Sequence, residues 1–340
     1  MDLIQAAWMI RDLGQSVSSI DLEEDSIIAG GWDGSLKMWN GDGDILWSAQ
    51  CEDRIEAIIR IGELVVVTSG LHITCVKSGE ILWSNALEGS ADLLAFYDNK
   101  VIATSSVYDI EHGDFMESAL WQFSLDGELI EVTRMDERPW FLHSNENLIL
   151  ALGRPKCGLL VDGEHRELPS TSPVMCGLSG RENILFGHAD GTISSFKGEE
   201  ICKESTSIES ITCIEQGFVA ALDNGDLVAR TPSSDKIWTA SGPQVTTHVA
   251  GFDDMHWCGR WDSIRGHLEV RSSSGELMVS TETSRPRVSD CSENRIAFGF
   301  EDGQILVWER DLFQRRSNQE KSEENSRNSA LAARLRSLRK

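Results

Sequence analysis

The sequence has no apolar run approaching the ~18 residues that a membrane-crossing helix needs. Its opening, MDLIQAAWMIRDLG, carries Asp2 where a secretory leader wants positive charge, and Gln5 and Arg11 break the apolar stretch. No C-x-x-C pair joins any of its 8 cysteines, so the usual spacing of a zinc site is missing. A phosphate-cradling G-x-x-x-x-G-K-[ST], an H-E-x-x-H and a G-x-S-x-G are missing too. Basic residues are scarce, 31 Lys and Arg against 55 Asp and Glu, for a net charge of −24. The expectation is a cytoplasmic, reduced, non-enzymatic protein with no membrane span, no cofactor and no metal.

The charge is uneven. Residues 310–340 hold nine Lys and Arg against four Asp and Glu, a net of +5. The preceding 309 residues hold 22 basic against 51 acidic side chains, a net of −29. A body so acidic repels a phosphate backbone and favours basic partners. Most cysteines fall singly within apolar runs, such as Cys75 in HITCV and Cys213 in SITCI, which reads as buried thiol rather than ligand.

What is present is a repeat. IIAGGWDGSLKMW at 27–39 matches IAFGFEDGQILVW at 296–308, ILFGHADGTISSF at 184–196 and FVAALDNGDLVAR at 218–230. Each is an apolar strand, an Asp-Gly or Asn-Gly turn suited to positive φ, and an alternating strand, which predicts a hairpin. Weaker copies lie at 64–76, 100–109, 148–163 and 255–275. Taking Ile28, Val66, Ile102, Ile149, Leu185, Val219, Trp257 and Ala297 as equivalent gives a period of about 38, stretched once by an insertion at 110–118. Strands such as GDILWSA and GEILWSN follow the hairpins, and others such as RIEAIIRI and SIESITCI precede them. Eight units of four strands predict an all-β, eight-bladed β-propeller of antiparallel blades. The last unit lacks its outer strand, and AAWMIRD at 6–12 is expected to supply it and close the ring.

On these residues the chain resembles the WD-repeat and quinoprotein-like (PQQ-like repeat) β-propeller superfamily over residues 3–310. The turn before Trp39 or Trp308, and Gly187-His188 with Asp190, are WD-like; Trp47, Trp83 and Trp238 in their GE-ILW-like strands are similar to quinoprotein repeats. The fourth unit lacks the Asp-Gly turn, and the seventh places Trp257 and Trp261 unusually. Quinone dehydrogenases hold their cofactor with adjacent cysteines, and no such pair occurs here.

Candidate chemistry is weak everywhere. Asn40, Asp42 and Asp44 have calcium-loop spacing, but Ile45 and Cys51 stand where Gly and Glu are required. His188 reads as a bond within its own blade. His256 and Cys258 share one side of a strand near Asp253 and Asp254, which reads as packing before metal. The insertion groups Asp109, Glu111, His112, Asp114 and Glu117, read as a solvated loop before a cation site. No nucleophile, base and orienting group come together in the pattern.

The expected organisation is a propeller over 1–312, a polar linker over 313–328 and a basic amphipathic helix over 329–340. In that last segment Leu331, Leu335 and Leu338 share a stripe and Ser329 is the N-cap. The expected function is a non-catalytic, monomeric scaffold for an unidentified protein partner. The tail residues Arg327, Arg334, Leu335, Arg336, Leu338, Arg339 and Lys340 would form a second contact. Two alternatives are an RNA- or ribosome-associated assembly factor gripping through that tail, and a metal-dependent enzyme in the propeller channel. In such a ring the turns between second and third strands share a face with the links between blades. Here they carry Trp32, Asp33, His72, Tyr108, Asp109, His112, Phe115, Arg260, Trp261, Phe300 and Glu301, the expected protein-binding set. The opposite face carries short polar turns such as SGE, LDG and KGE.

Overall fold

The structure, a computed structural model, describes residues 2–111, 113–180 and 183–318. Its strands form eight antiparallel sheets of four. Blade one shows the pattern, with Val17–Leu22 innermost, then Ser26–Gly31, Ser35–Asn40 and Ile45–Gln50 outward. Blades two to seven follow over 58–86, 90–135, 139–166, 174–203, 208–240 and 244–283. Pro286–Cys291, Arg295–Phe300 and Gln304–Glu309 form blade eight, and Met9–Asp12 pairs on as its outer strand, with Met9 opposite Val307. The innermost strands of blades one and eight touch, so the ring closes.

The closing strand starts later than the sequence suggests. Leu3–Ala6 is a helical turn instead, with Asp2 accepting from the Ile4 amide as its cap. The fully buried Leu3 explains it: its carbonyl accepts from Trp308 Nε1 at 2.9 Å, and its amide donates to Thr281 of blade seven.

The eight expected equivalent positions do coincide. In seven blades each lies three residues before the partner of the inner-strand residue that precedes a bulge, as Ile28 does before Gly31, which faces Val17, and Trp257 before Arg260, which faces Val245. What sets the period is a close approach. A Cβ on Gly30 would lie 2.6 Å from Ile55 of the next blade, and one on Gly299 would lie 2.5 Å from Val17. Thr68, Thr104, Ala151 and Ala221 fill the same position elsewhere, so small residues admit each following blade.

Right after that contact the innermost strand bulges. In seven blades one extra residue separates two successive ladder pairs near the start of the strand, as Ser18 does between Val17 and Ser19 and Arg287 between Pro286 and Val288. In the second blade the ladder begins only at Ile58, and Thr68 Oγ1 accepts from the Glu56 and Ala57 amides. A bulge bends the strand and re-aims a side chain.

A helix over 310–318 follows the last strand. It overlaps the start of the segment expected as a linker, because Phe313 is buried against Phe252 and Trp257, with ring centroids 5.6 and 5.2 Å away. The segment expected as a basic helix, 329–340, and its contact residues from Arg327 to Lys340 lie outside the described residues. Among the described residues, no helix is long and apolar enough to cross a membrane.

Candidate functional site: the upper mouth of the propeller

The face bearing the turns between second and third strands and the links between blades is here called the upper face. Turn and link are joined: the Cys51 amide donates to Gly34 O, and Ile55 to Gly31 O. Four turn tips on this face present a large apolar side chain. Trp32, Leu71, Ile110 and Ile264 are 43%, 54%, 87% and 80% exposed. They belong to blades one, two, three and seven. In the corresponding turns of blades five, six and eight the position of Trp32 is held by Ala189, Asp223 and Glu301 instead.

Inside this arc lies a set of arginines stacked on aromatic rings. Arg54 and Arg287 lie over Trp32 at 4.6 and 5.3 Å. Arg138 lies over Phe115 at 3.8 Å and over Trp140 at 4.2 Å, and Arg285 over Trp261 at 5.4 Å. A guanidinium held on a ring face keeps its in-plane N–H groups aimed elsewhere. Arg54 pairs with Glu56, Arg138 with Asp92 at 2.8 Å, and Arg287 with Glu301, whereas Arg285 has no carboxylate partner among the described residues. Burial pushes the Glu56 carboxyl up, with Arg54 pulling it down and the neighbouring Asp92 pushing it further up. Burial likewise raises Asp92, opposed by Ser106 and Arg138.

The insertion in blade three is a taller hairpin, Lys100–Asp109 and Asp114–Phe123, and not a loose loop. Tyr108 stands 53% exposed at its top, edge-on to Phe115 at 5.1 Å. Phe115 in turn meets Trp140, which occupies the bulge of blade four. His112 lies outside the described residues.

Two residues of the expected binding set are corrected. Arg260 is fully buried, donating to the carbonyls of Gly225, Pro243 and Ala240 and pairing with Glu269. It ties blade seven to the link before it and has nothing left to offer a partner. Phe300 is also buried, in the core that holds Trp308. Both sit level with the inner-strand residue that precedes the bulge, Val245 and Pro286, where side chains point into the blade contact. Trp32, Asp33, His72, Tyr108, Asp109, Phe115, Trp261 and Glu301 do lie on the upper face. Asp33 is partly spent on its own turn: partial burial pushes its carboxyl up, but the Ser35 hydroxyl and amide pull it below the ordinary range.

The sequence reading missed Arg54, Arg138, Trp140, Arg285 and Arg287, along with Leu71, Ile110 and Ile264. A signal existed. Arg138-Pro139-Trp140 and Arg285-Pro286-Arg287 hold the same place at the start of blades four and eight, and Arg54-Ile55-Glu56 holds it in blade two.

The other candidates resolve into structure. His188 is buried, bonded to Ser172 O at 3.0 Å and Ser194 Oγ at 2.8 Å, and burial holds it below its ordinary pKa. His256 and Cys258 lie buried on one strand, and His256 Nε2 is 2.9 Å from His248 Nδ1, which leaves one proton between them. Burial pushes His248 down to about 4, and pushes His256 well down with help from the neighbouring His248 and Arg260. The Cys258 thiol is pushed up to about 12 by burial, the state of an inert thiol. Asn40 uses its side chain to accept from the Asp42 and Asp44 amides, as a polar turn does. Among the described residues, no three His, Cys, Asp or Glu side chains group as a metal site. On the lower face a cleft of about 750 Å³ is lined by Glu215, Asp253, Asp254 and Glu293 and flanked by Arg310, whose Nε lies 3.6 Å from Asp253.

No protein-family model matches the sequence, and no curated protein matches it. Solved structures do. BamB from Moraxella catarrhalis superposes with a TM-score of 0.74 at 15% identity, covering 89% of this chain and 97% of that one. Sqt1 from Saccharomyces cerevisiae gives 0.71 at 12% identity, over 91% and 99%. The WD40 β-propeller domain of Doa1 gives 0.55 at 14% identity, over 88% and 95%. At such identities the likeness establishes the β-propeller fold alone.

Proposed function

We propose that the chain is a non-catalytic protein-interaction scaffold of WD-repeat-like or quinoprotein-like type, cytoplasmic and monomeric, whose upper face takes a protein partner across blades seven, eight, one, two and three. The observation that carries this reading is the arc of exposed apolar tips, Trp32, Leu71, Ile110 and Ile264, around the arginine-stacked rings of the mouth. Exposed aromatic and arginine anchors in a rigid setting dominate interface energetics, and flanking polar turns mainly solvate. The blades fix these anchors without any change of backbone, so little ordering cost accompanies binding.

The test compares two pairs of substitutions in the intact chain, read against partners captured by the unaltered protein. Trp32→Ala with Tyr108→Ala removes anchors from the upper face. Ser78→Arg with Asp126→Arg alters turns on the lower face. Loss of binding in the first pair and retention in the second is expected, and the reverse result would refute the assignment.

A further inference from the structure

The outer strands repeat a triplet that the hairpin motif does not explain. Asp44-Ile45-Leu46, Glu80-Ile81-Leu82, Glu128-Leu129-Ile130 and Glu276-Leu277-Met278 each place an acidic residue before two apolar ones where an outer strand begins. All eight apolar side chains are between 46% and 61% exposed. Edge strands of this kind associate unless something covers them.

One stretch of the rim is broader than the rest. At the seam between blades eight and one, Trp8 and Ile10 are also exposed. Trp8 Nε1 donates to Gly41 O at 3.4 Å and Arg11 Nε to Gly43 O at 2.7 Å, which lays the closing strand on the turn leading into Ile45 and Leu46. Asp42 and Asp44 on that turn are exposed and form no ion pair among the described residues.

The described chain ends beside this seam. Arg316 Nη1 donates to the carbonyls of Gln5 and Ala7, at 2.7 and 3.0 Å, one residue short of Trp8. Residues 319–328 can reach at most ~35 Å beyond 318, ample for any site on the seam. The segment 329–340 then offers Leu331, Leu335 and Leu338 at helical spacing, with Arg334, Arg336, Arg339 and Lys340 and no acidic residue. Such a short helix is marginal in water without an apolar surface to cover. Seam and segment match in both respects, apolar stripe to apolar patch and cations to carboxylates.

We propose that segment 329–340 docks on this chain's own rim, at the seam formed by Trp8, Ile10, Ile45 and Leu46, with Asp42 and Asp44 receiving its arginines. A short tether sets an effective concentration on the order of 1 mM, so even a weak site is largely occupied in the intact chain. The docking stands independently of the upper face, which lies elsewhere on the ring.

The test uses a labelled peptide of residues 329–340, titrated by fluorescence anisotropy into the full chain and into a chain ending at residue 318. The shortened chain should bind it, and the full chain at least about tenfold more weakly because its own segment competes. Raising salt to about 0.5 M should weaken binding. Ile45→Glu with Leu46→Glu should abolish it while leaving the melt of the shortened chain unchanged, and so should Leu335→Glu with Leu338→Glu in the peptide, where protein folding is not at stake. Absence of binding to the shortened chain, equal binding to both chains, or indifference to the rim substitutions would each overturn the proposal. Loss of binding on Asp253→Lys with Glu293→Lys, with the rim substitutions silent, would move the segment to the lower cleft and overturn it as well.

Discussion

The two faces of the ring are built by the same repeat and end up chemically opposite. On the lower face most turns are short and run through Gly, Ser, Asp, Asn or Glu, and the cleft at its mouth is acidic. On the upper face the inner strands bulge, one blade's link lies on the previous blade's turn, and arginines stack on rings beside exposed apolar tips. A tight turn satisfies its own backbone and leaves nothing over. A bulge releases one residue from the ladder in each of seven blades, and that residue is free to vary without disturbing the ring. The positions hold Ser18, Trp140, Met175, Glu209, Thr246 and Arg287. Variation at a fixed backbone site is how a scaffold acquires a specific surface.

The strongest way to break this comparison is to open the ring that both faces share. Deleting residues 1–14 removes the outer strand of blade eight and the Leu3 carbonyl that accepts from Trp308. Loss of a single cooperative melt, with aggregation, is expected in calorimetry. A shortened chain that melts as the parent does would show that the ring does not depend on its closing strand.

A sharper contrast lies between two arginines near the upper face. Arg260→Ala leaves Glu269 and three carbonyls without their buried partner and should cost about 3–5 kcal/mol in chemical denaturation. Arg285→Ala removes a partly buried guanidinium with no ion pair among the described residues and should cost less than about 1 kcal/mol, while weakening partner binding. Equal effects of the two on stability would erase the distinction between support and contact.

Legibility followed the same division. The blade count could be read because the close approach at Gly30, Gly187, Gly259 and Gly299 forces small residues at a fixed spacing. The apolar tip Trp32 was visible for the same reason, next to an Asp-Gly turn. Arg287 was not, because a bulge accepts Ser, Trp, Met, Glu, Thr or Arg, and Arg54 and Arg138 precede their inner strands, outside the hairpin that carries the repeat. Arg260 misled because it lies near the end of its strand, where neighbouring side chains pass from complete burial to partial exposure.

The lower half also carries the end of the described fold. Phe313→Ala, or a chain ending at Leu312, should lose about 3 kcal/mol because Phe313 fills the space beside Trp257. A chain ending at 318 should keep that contribution and lose only the stabilisation that docking of 329–340 adds, about 1.4 kcal/mol for tenfold occupancy. Equal midpoints for the two truncations would show that the helix contributes nothing.

The pH response is a gentler probe, centred on the contact between blades six and seven. His248 is held near 4 and His256 also well below the ordinary 6.5, both as neutral rings. Between 6.5 and about 4 the unfolded chain takes up protons that the folded one refuses, so their contribution is intact above 6.5 and lost as pH falls. For His248 this amounts to about 3 kcal/mol once titration is complete. Asp290 opposes it: burial pushes its carboxyl up to about 6, so acid stabilises the fold through that group as pH falls from about 6 to its ordinary 3.8. His248→Gln should flatten the net acid loss in denaturation curves taken at stepped pH, and an unchanged slope would remove these rings from the account.

The most direct test of the central claim, that the two faces differ in use as they differ in chemistry, is hydrogen–deuterium exchange of the full chain with and without a captured partner. The account predicts slowed exchange at the upper turns around Trp32, Leu71, Tyr108–Ile110 and Ile264, and unchanged exchange at the lower turns around Ser78, Asp126 and Glu276. Protection confined to the lower turns would contradict it.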